Sequence, residues 1–418
     1  MFAIFNKQLE KKERLRLLIT YVIYFLFSVI MFSVPFFSFR ENLNTITWIF
    51  TVLFVLLSSF YIIFYKKIHI DVIACSFIIF LILITVSSAL SLFKNFSLSI
   101  YLNTLIILIS YLYCKNDKNK IDYLLISAFI GIVLFSFTYF LQYFREIMSF
   151  NFDRLGDRFG DINDIGIILC LGSCIGCGMS FKYKKWYLKL IFLFLSLFTA
   201  FLSFTSGSKI CLFLIAGIAF ATIILVFGKR RWYFSLITIS ALILLLFVII
   251  NIPMFSMLKT RMHEMVYTFF GIGEPTSTSF STLNRLDMFK GGMSLFLRRP
   301  VFGFGVNGYE NFAGYPGKWS HNHISETFAN FGILGTFFYH FPLVFSLLKT
   351  KGKQVNKNYI LYLVFSFITM ISTVLFREKF YTFIIGSVLA YIEIDDIYLL
   401  NIFSFLGKKR KKLTYGEN

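Results

Sequence analysis

The chain has 418 residues, of which 57% are apolar and only 15% charged, with a formal net charge of +20 at pH 7 and a mean hydropathy of +0.75. A soluble domain is about half apolar and about a quarter charged, so this excess has no place in a water-surrounded fold, and repeated apolar runs of roughly 20 residues read as membrane spans. The basic excess lies in short clusters between those runs, a pattern of topology signals and headgroup contacts that excludes nucleic acid as the partner.

Lys7, Lys11, Lys12, Arg14 and Arg16 precede the first run, 15–37. That run is too long for a signal-peptide core and has no small-residue cleavage site, so it is expected to be an uncleaved first span. Further runs follow at 46–65, 72–93, 98–113, 123–144, 165–181, 186–204, 210–227 and 232–252. After a long polar stretch come 328–348, 359–376 and a run beginning at Phe380. The last is interrupted by Glu393, Asp395 and Asp396 and can continue as an interfacial helix. The expected fold class is therefore all-α, a polytopic integral membrane protein with about 12 transmembrane helices and one large external loop. Residues 1–258 would hold spans one to nine, 259–330 the loop, and 331–418 spans ten to twelve with a basic tail.

Basic residues fill alternate connections. One set comprises the N-terminus, Lys66-Lys67, Lys115/Lys118/Lys120, Lys182/Lys184/Lys185/Lys189, Lys229-Arg230-Arg231, Lys349/Lys351/Lys353/Lys357 and Lys408 to Lys412. The positive-inside rule puts this set, and with it both termini, in the cytoplasm and the long loop outside. The cysteines, Cys75, Cys114, Cys170, Cys174, Cys177 and Cys211, all lie in or at the ends of apolar runs. Three thiolates in a span without a charged partner would be costly, so Cys170, Cys174 and Cys177 read as small apolar residues of a packed helix, and no disulfide framework is implied.

Three outward places depart from the sparse pattern. The connection after the fifth run mixes Arg154, Arg158, Asp161, Asn163 and Asp164 with glycines, a composition that an ordinary solvated loop also shows. Thr205-Ser206-Gly207-Ser208-Lys209 is a tight turn, where Lys209 opens the next helix and can simply snorkel. In the long loop, Arg285, Lys290, Arg298 and Arg299 lie among Leu286, Phe289, Met293, Phe296 and Leu297 at helical spacing. That is an amphipathic surface helix. Its bland role is anchoring to anionic lipid; its sharper role is gripping a phosphorylated lipid, because guanidinium forks onto phosphate oxygens. Pro300 ends the helix, and Gly303, Gly305 and Gly308 permit turns or close backbone approach. The stretch Tyr309 to Trp319 is aromatic and glycine-rich, a composition suited to stacking on sugar rings.

In His321-Asn322-His323, Asn322 is an expected N-cap. The positive helix end beside His321 favours a neutral imidazole, which can accept a proton as a general base must. A lone histidine here would read as core; two around an asparagine, opposite several arginines, point to function. Zinc held by His321, His323 and either His263 or Glu310 lacks a complete ligand spacing, and no metal is assigned.

Taken in order, these motifs resemble the O-antigen polymerase and ligase family, the Wzy- and WaaL-like membrane glycosyltransferases that include capsule and exopolysaccharide polymerases. The pattern stands here as Arg285, Pro300-Val301-Phe302-Gly303-Phe304-Gly305, His321-Asn322 and Gly332-Ile333-Leu334-Gly335, preceded by Arg154 … Gly160-Asp161-Ile162-Asn163 and Ser206-Gly207-Ser208-Lys209. The family commonly has Pro at position 162 and Arg at position 209. The resemblance implies a metal-independent and cofactor-free transferase of the outer leaflet, whose donor is a glycan on a polyprenyl (undecaprenyl) pyrophosphate. A polymerase adds the chain to the next lipid-linked repeat unit; a ligase gives it to another acceptor. The implied catalytic residues are His321 and Arg285. Substrate contacts are expected from Arg154, Arg158, Asn163, Lys209, Arg298, Arg299, Asn322, His323 and Glu326, with His323 and Glu326 also as substitute bases. The implied partners are the lipid-linked donor and acceptor, membrane lipid, a chain-length regulator and a flippase, in the cytoplasmic (inner) membrane. A polymerase is the first expectation and a ligase the second. A transporter or flippase for the same glycans is the reading from a different class. The lack of an internal repeat and the paucity of charge within spans stand against it.

Overall fold

A computed structural model describes residues 2–37, 41–66, 70–90, 97–115, 117–149, 155–156, 158–159, 161–227, 240, 251, 259–260, 263, 267, 279–314, 318–349, 357–371, 373–375 and 377–391. The described residues are helical and contain no strand. In chain order the helices are α1 (Phe2–Phe37), α2 (Glu41–Tyr65), α3 (Val72–Ala89), α4 (Leu98–Cys114), α5 (Lys118–Gln142) and the short α6 (Phe144–Met148). Then come α7 (Ile162–Lys182), α8 (Trp186–Thr205), α9 (Lys209–Phe227), α10 (Ser279–Arg298), the short α11 (Gly308–Phe312), α12 (His323–Lys349), α13 (Lys357–Met370) and α14 (Lys379–Leu389). Among the described residues eight helices are long and apolar enough to cross a membrane, and α4, α13 and α14 are shorter apolar helices. The protein is thus a polytopic membrane protein, with an apolar helix at each expected run that the structure describes and eight of these long enough to span. The expected ninth span, 232–252, lies almost wholly outside the described residues, as does everything after 391.

Caps set several of these helix starts. Asp71 accepts from the Ala74 amide, Asp117 from that of Lys120, and Asp161 from that of Asn163, each satisfying an amide that the first turn would leave orphaned. α7 is the buried centre, packed on α5, α8, α9 and α13. Small residues let its neighbours approach: a Cβ on Gly172 would sit 2.7 Å from Ile132, and one on Gly176 would sit 2.8 Å from the Phe129 ring. Small-residue faces of this kind hold helices together in lipid, where no hydrophobic force distinguishes helix from tail. Cys170, Cys174 and Cys177 are buried in this packing.

The expected cytoplasmic residues meet at one end of the bundle. Lys66 Nζ donates to the carbonyls of Leu112, Tyr113 and Lys115 at 3.1, 2.7 and 2.6 Å, closing the C-terminus of α4. Arg16 and Lys120 both donate to Tyr61 Oη, Lys115 pairs with Asp71, and Asp122 joins Lys182 to Tyr391. The alternation of basic connections therefore corresponds to one physical face.

The tenth span differs from expectation. Gly332, with φ 63° and ψ −165°, breaks α12 into two pieces. The segment after Pro300 fills the break. Phe304 N and Gly305 N donate to the carbonyls of Ala329 and Asn330 at 2.9 and 2.8 Å, and Ile333 N donates to Pro300 O at 2.7 Å. Ser87 Oγ donates to Phe302 O and Asn330 O at 2.6 and 3.0 Å. Broken backbone at membrane depth is tolerated where protein groups replace the lost helix bonds, as they do here. Ser87 is two residues from the end of α3, so the break lies level with that helix end. Only 333–349 then runs beside α3, and 323–331 stands on the other side of the break. α10 runs alongside that piece in the same direction, since Gly292 backs onto Ser325 and the Phe296 ring packs on Phe328 at 4.7 Å.

Candidate active site

His321 occupies the apex of a turn that its neighbours clamp from both sides. Ser320 N donates to Glu326 Oε2 at 3.0 Å, and Ser320 Oγ lies 3.0 Å from the same oxygen and donates to Asn322 O at 2.7 Å. Asn322 Oδ1 accepts from Ser325 N at 3.0 Å, the N-cap expected from the sequence, and Asn322 Nδ2 donates to Ile371 O at 3.4 Å. Between these anchors His321 adopts φ 51°. Left-handed backbone at a residue with a Cβ costs about 1–3 kcal/mol and persists only where the surroundings hold it.

The imidazole is partly buried. Burial first, and then the positive charge of Arg285, hold it below the usual histidine range; Asp161 pulls the other way and Lys318 adds to the lowering. Both shifts follow from the cost of a second charge in a desolvated, already positive place. The resulting group is neutral near pH 7, the state a proton acceptor requires. The charges of Arg285, two turns into α10, and of Asp161, before α7, both reach His321.

The two upstream places also join this face. Ser208 Oγ donates to Asn163 Oδ1 at 3.0 Å, and Leu155 N donates to Thr205 O at 3.1 Å, so the loop before α7 lies against the tight turn before α9. Gly207 in that turn has φ 61°. Lys209 is the first residue of α9. Asp164 lies close enough to Asp161 and Glu378 for their charges to act on it, and Thr373 Oγ1 donates to Glu378 at 3.3 Å. Segments from four parts of the chain, near 161–164, 206–209, 285 and 320–322, are thus drawn toward one region, near Ile371, Arg377 and Glu378.

Other expected site residues stand elsewhere. Arg298 and Arg299 are 13 and 14 residues after Arg285 on or just past one straight helix, about 20 Å along its axis at 1.5 Å per residue. Arg299 lies over the Phe304 ring at 4.9 Å, beside the Gly332 break. Arg158 pairs with Glu146 at 2.9 Å and lies over the Tyr143 ring. His323 is fully buried, its ring 5.0 Å from those of Tyr339 and His340. Glu326 is fully buried and held by Ser320 and Arg377. Arg154 lies outside the described residues. Of the aromatic stretch, Tyr309 is buried, with its hydroxyl donating to Met288 O at 2.9 Å, while Trp319 stays exposed. Among the described residues no three His, Cys, Asp or Glu side chains come together as a metal site.

Arg377 was not singled out by its sequence. Its guanidinium donates to Glu326 Oε1 at 2.9 Å and to Asn307 Oδ1 at 3.2 Å, pairs with Glu310 at 2.6 Å, and lies 5.1 Å from the Trp319 ring. Its carbonyl accepts from Asn103 Nδ2 at 3.1 Å. The one available signal was an Arg-Glu-Lys group in an otherwise uncharged run; its partner Glu326 is 51 residues away.

Among curated proteins none matches the chain. The family model described as O-antigen ligase matches residues 165–340, a stretch that holds Lys209, Arg285, the glycine segment that fills the helix break, and the His321 turn. That match makes residues 165–340 similar to the O-antigen ligase family and supports a membrane glycosyltransferase of the O-antigen polymerase and ligase type.

Proposed function

We propose that the protein polymerises a polysaccharide at the outer face of the cytoplasmic membrane, with both termini inside. The donor is a glycan on a polyprenyl pyrophosphate, and the acceptor is the non-reducing end of a second lipid-linked repeat unit. What supports the reading is the His321 turn, clamped by Glu326 on Ser320 and by the Asn322 cap, with the imidazole partly buried and within reach of the charges of Arg285 and Asp161. His321 takes the proton from the acceptor hydroxyl as its oxygen bonds to the anomeric carbon. The sugar–phosphate bond breaks, and the pyrophosphate leaves with the electron pair. Arg285 holds the charge that gathers on it; stabilising developing charge is where such a site gains most of its rate. Pyrophosphate is already a good leaving group, so the chemistry asks the chain for little beyond a base, a cation and alignment.

The experiment gives purified protein only lipid-linked repeat units, in the presence of chelator. A ladder of lengthening products is expected. If single transfer appears only after a different acceptor is added, the protein is a ligase. If no transfer occurs but lipid-linked glycan crosses vesicle membranes, the transport reading replaces this one. Loss of the ladder on chelation alone would contradict a metal-independent reaction.

A further inference from the structure

We propose that Arg377 is a positioning residue for the transfer reaction, acting through Glu326 and Ser320 on the His321 turn. The inference rests on His321 being the base. Four observations carry it.

First, the contacts form an unbroken chain. Arg377 Nε donates to Glu326 Oε1 at 2.9 Å, and the other oxygen of the same carboxylate accepts from the backbone N of Ser320, the residue before His321, and lies 3.0 Å from its Oγ. Second, the residue after His321 is tied to the same segment, through Asn322 Nδ2 and Ile371 O. The left-handed φ of His321 is therefore held on both flanks by groups that depend on 371–378. Third, the ions are enclosed: Glu326 is fully buried, while the side chains of Arg377 and Glu310 are 15% and 17% exposed. A buried pair is costly to form and gains a reason when it fixes one arrangement against others. Fourth, Arg377 belongs to the connection between α13 and α14. It also lies beyond residue 340, outside the matched stretch, so the site is completed by a part of the chain that the family match does not reach.

Arg377 is engaged by Glu326, Glu310 and Asn307, so it is not offered as a pyrophosphate ligand. The test compares Arg377→Gln, Arg377→Lys, Glu326→Gln and the double variant Arg377→Gln/Glu326→Gln, all at matched amounts of purified, detergent-stable protein. In Arg377→Gln, kcat is expected to fall about 10²-fold, the loss that a displacement near 1 Å brings, with KM for the lipid-linked unit unchanged. The acid limb of the kcat/KM profile should move to higher pH, because a released His321 regains water and its pKa rises. Arg377→Lys keeps the charge but not the fork and should recover part of kcat. The double variant, which removes both charges, covers the case in which the single variant fails to fold, and should lose no more rate than the worse single variant. A second readout needs no turnover: the rate at which diethyl pyrocarbonate modifies His321, followed by mass spectrometry, should rise in Arg377→Gln. Unchanged kcat, pH limb and labelling rate would overturn the proposal. A raised KM with an unchanged pH limb would also overturn it and make Arg377 a substrate contact. If the parent enzyme shows no transfer, the proposed function fails, and the labelling rate alone still decides whether Arg377 holds the turn.

Discussion

Among single residues, the proposed base His321 owes its protonation state to its surroundings. Burial and Arg285 lower its pKa, and Asp161 opposes them. The acid limb of kcat/KM should therefore fall below about 6.5, the ordinary histidine value. Arg285→Gln removes a charge that disfavours imidazolium, so the limb should shift to higher pH. Arg285→Lys should leave the limb in place while kcat drops about 10²-fold, because a point charge does not replace a forked donor on a developing oxyanion. A limb that stays put in both variants would separate Arg285 from His321. The sequence made the helix start legible, since Asn322 caps α12 as expected, although Arg285 lies two turns into α10 and not at its head. It could not announce Arg377, because a buried ion pair 51 residues apart leaves no local pattern.

Among the elements, the informative one is the broken α12. Its apolar run reads as a continuous span because Gly332 is indistinguishable, in sequence, from a glycine placed for close packing. The reason for the break lies in another segment. Gly303 and Gly332 are positions where backbone meets backbone: a Cβ on Gly332 would lie 2.3 Å from Val301 O, and one on Gly303 would lie 2.5 Å from Asn330 O. Both also have positive φ, 63° and 68°. Gly332→Ala or Gly303→Ala should destabilise the protein by about 1–3 kcal/mol from overpacking alone, with further strain from φ. The check is the thermal midpoint of the purified protein in detergent, against Gly314→Ala, where no atom lies within 4 Å of the added methyl group. A fall no larger than that of Gly314→Ala would mean that the segment after Pro300 does not fill the break. Gly314 also has positive φ, 82°, so the comparison isolates the steric part.

Seen whole, the molecule separates its charges by face. Lys66, Lys115, Lys120 and Lys182 gather at one end, and Arg285, His321 and Arg377 lie at the other. This much was legible, because loop charge is set by the direction of insertion and not by tertiary contacts. What hydropathy could not show is contact: α13 and α14 read as ordinary spans, yet their connection meets the His321 turn through Arg377 and Ile371. In a variant without native cysteines, a cysteine at exposed Lys318 should react with an impermeant maleimide on intact cells, and one at exposed Lys184 only after permeabilisation. The reverse pattern would turn the candidate site to the cytoplasm, away from a lipid-linked donor on the outer leaflet.

His321 is the proposed base for glycosyl transfer. The most direct measurement is the initial rate of polymer formation by purified His321→Ala, beside the parent and His323→Ala, on lipid-linked repeat units with chelator present. A general base contributes about 10²–10⁴-fold. His321→Ala should fall by that factor while remaining folded and membrane-inserted, and His323→Ala, whose ring packs against Tyr339 and His340, should lose less. Polymerisation by His321→Ala at near the parent rate would contradict the account.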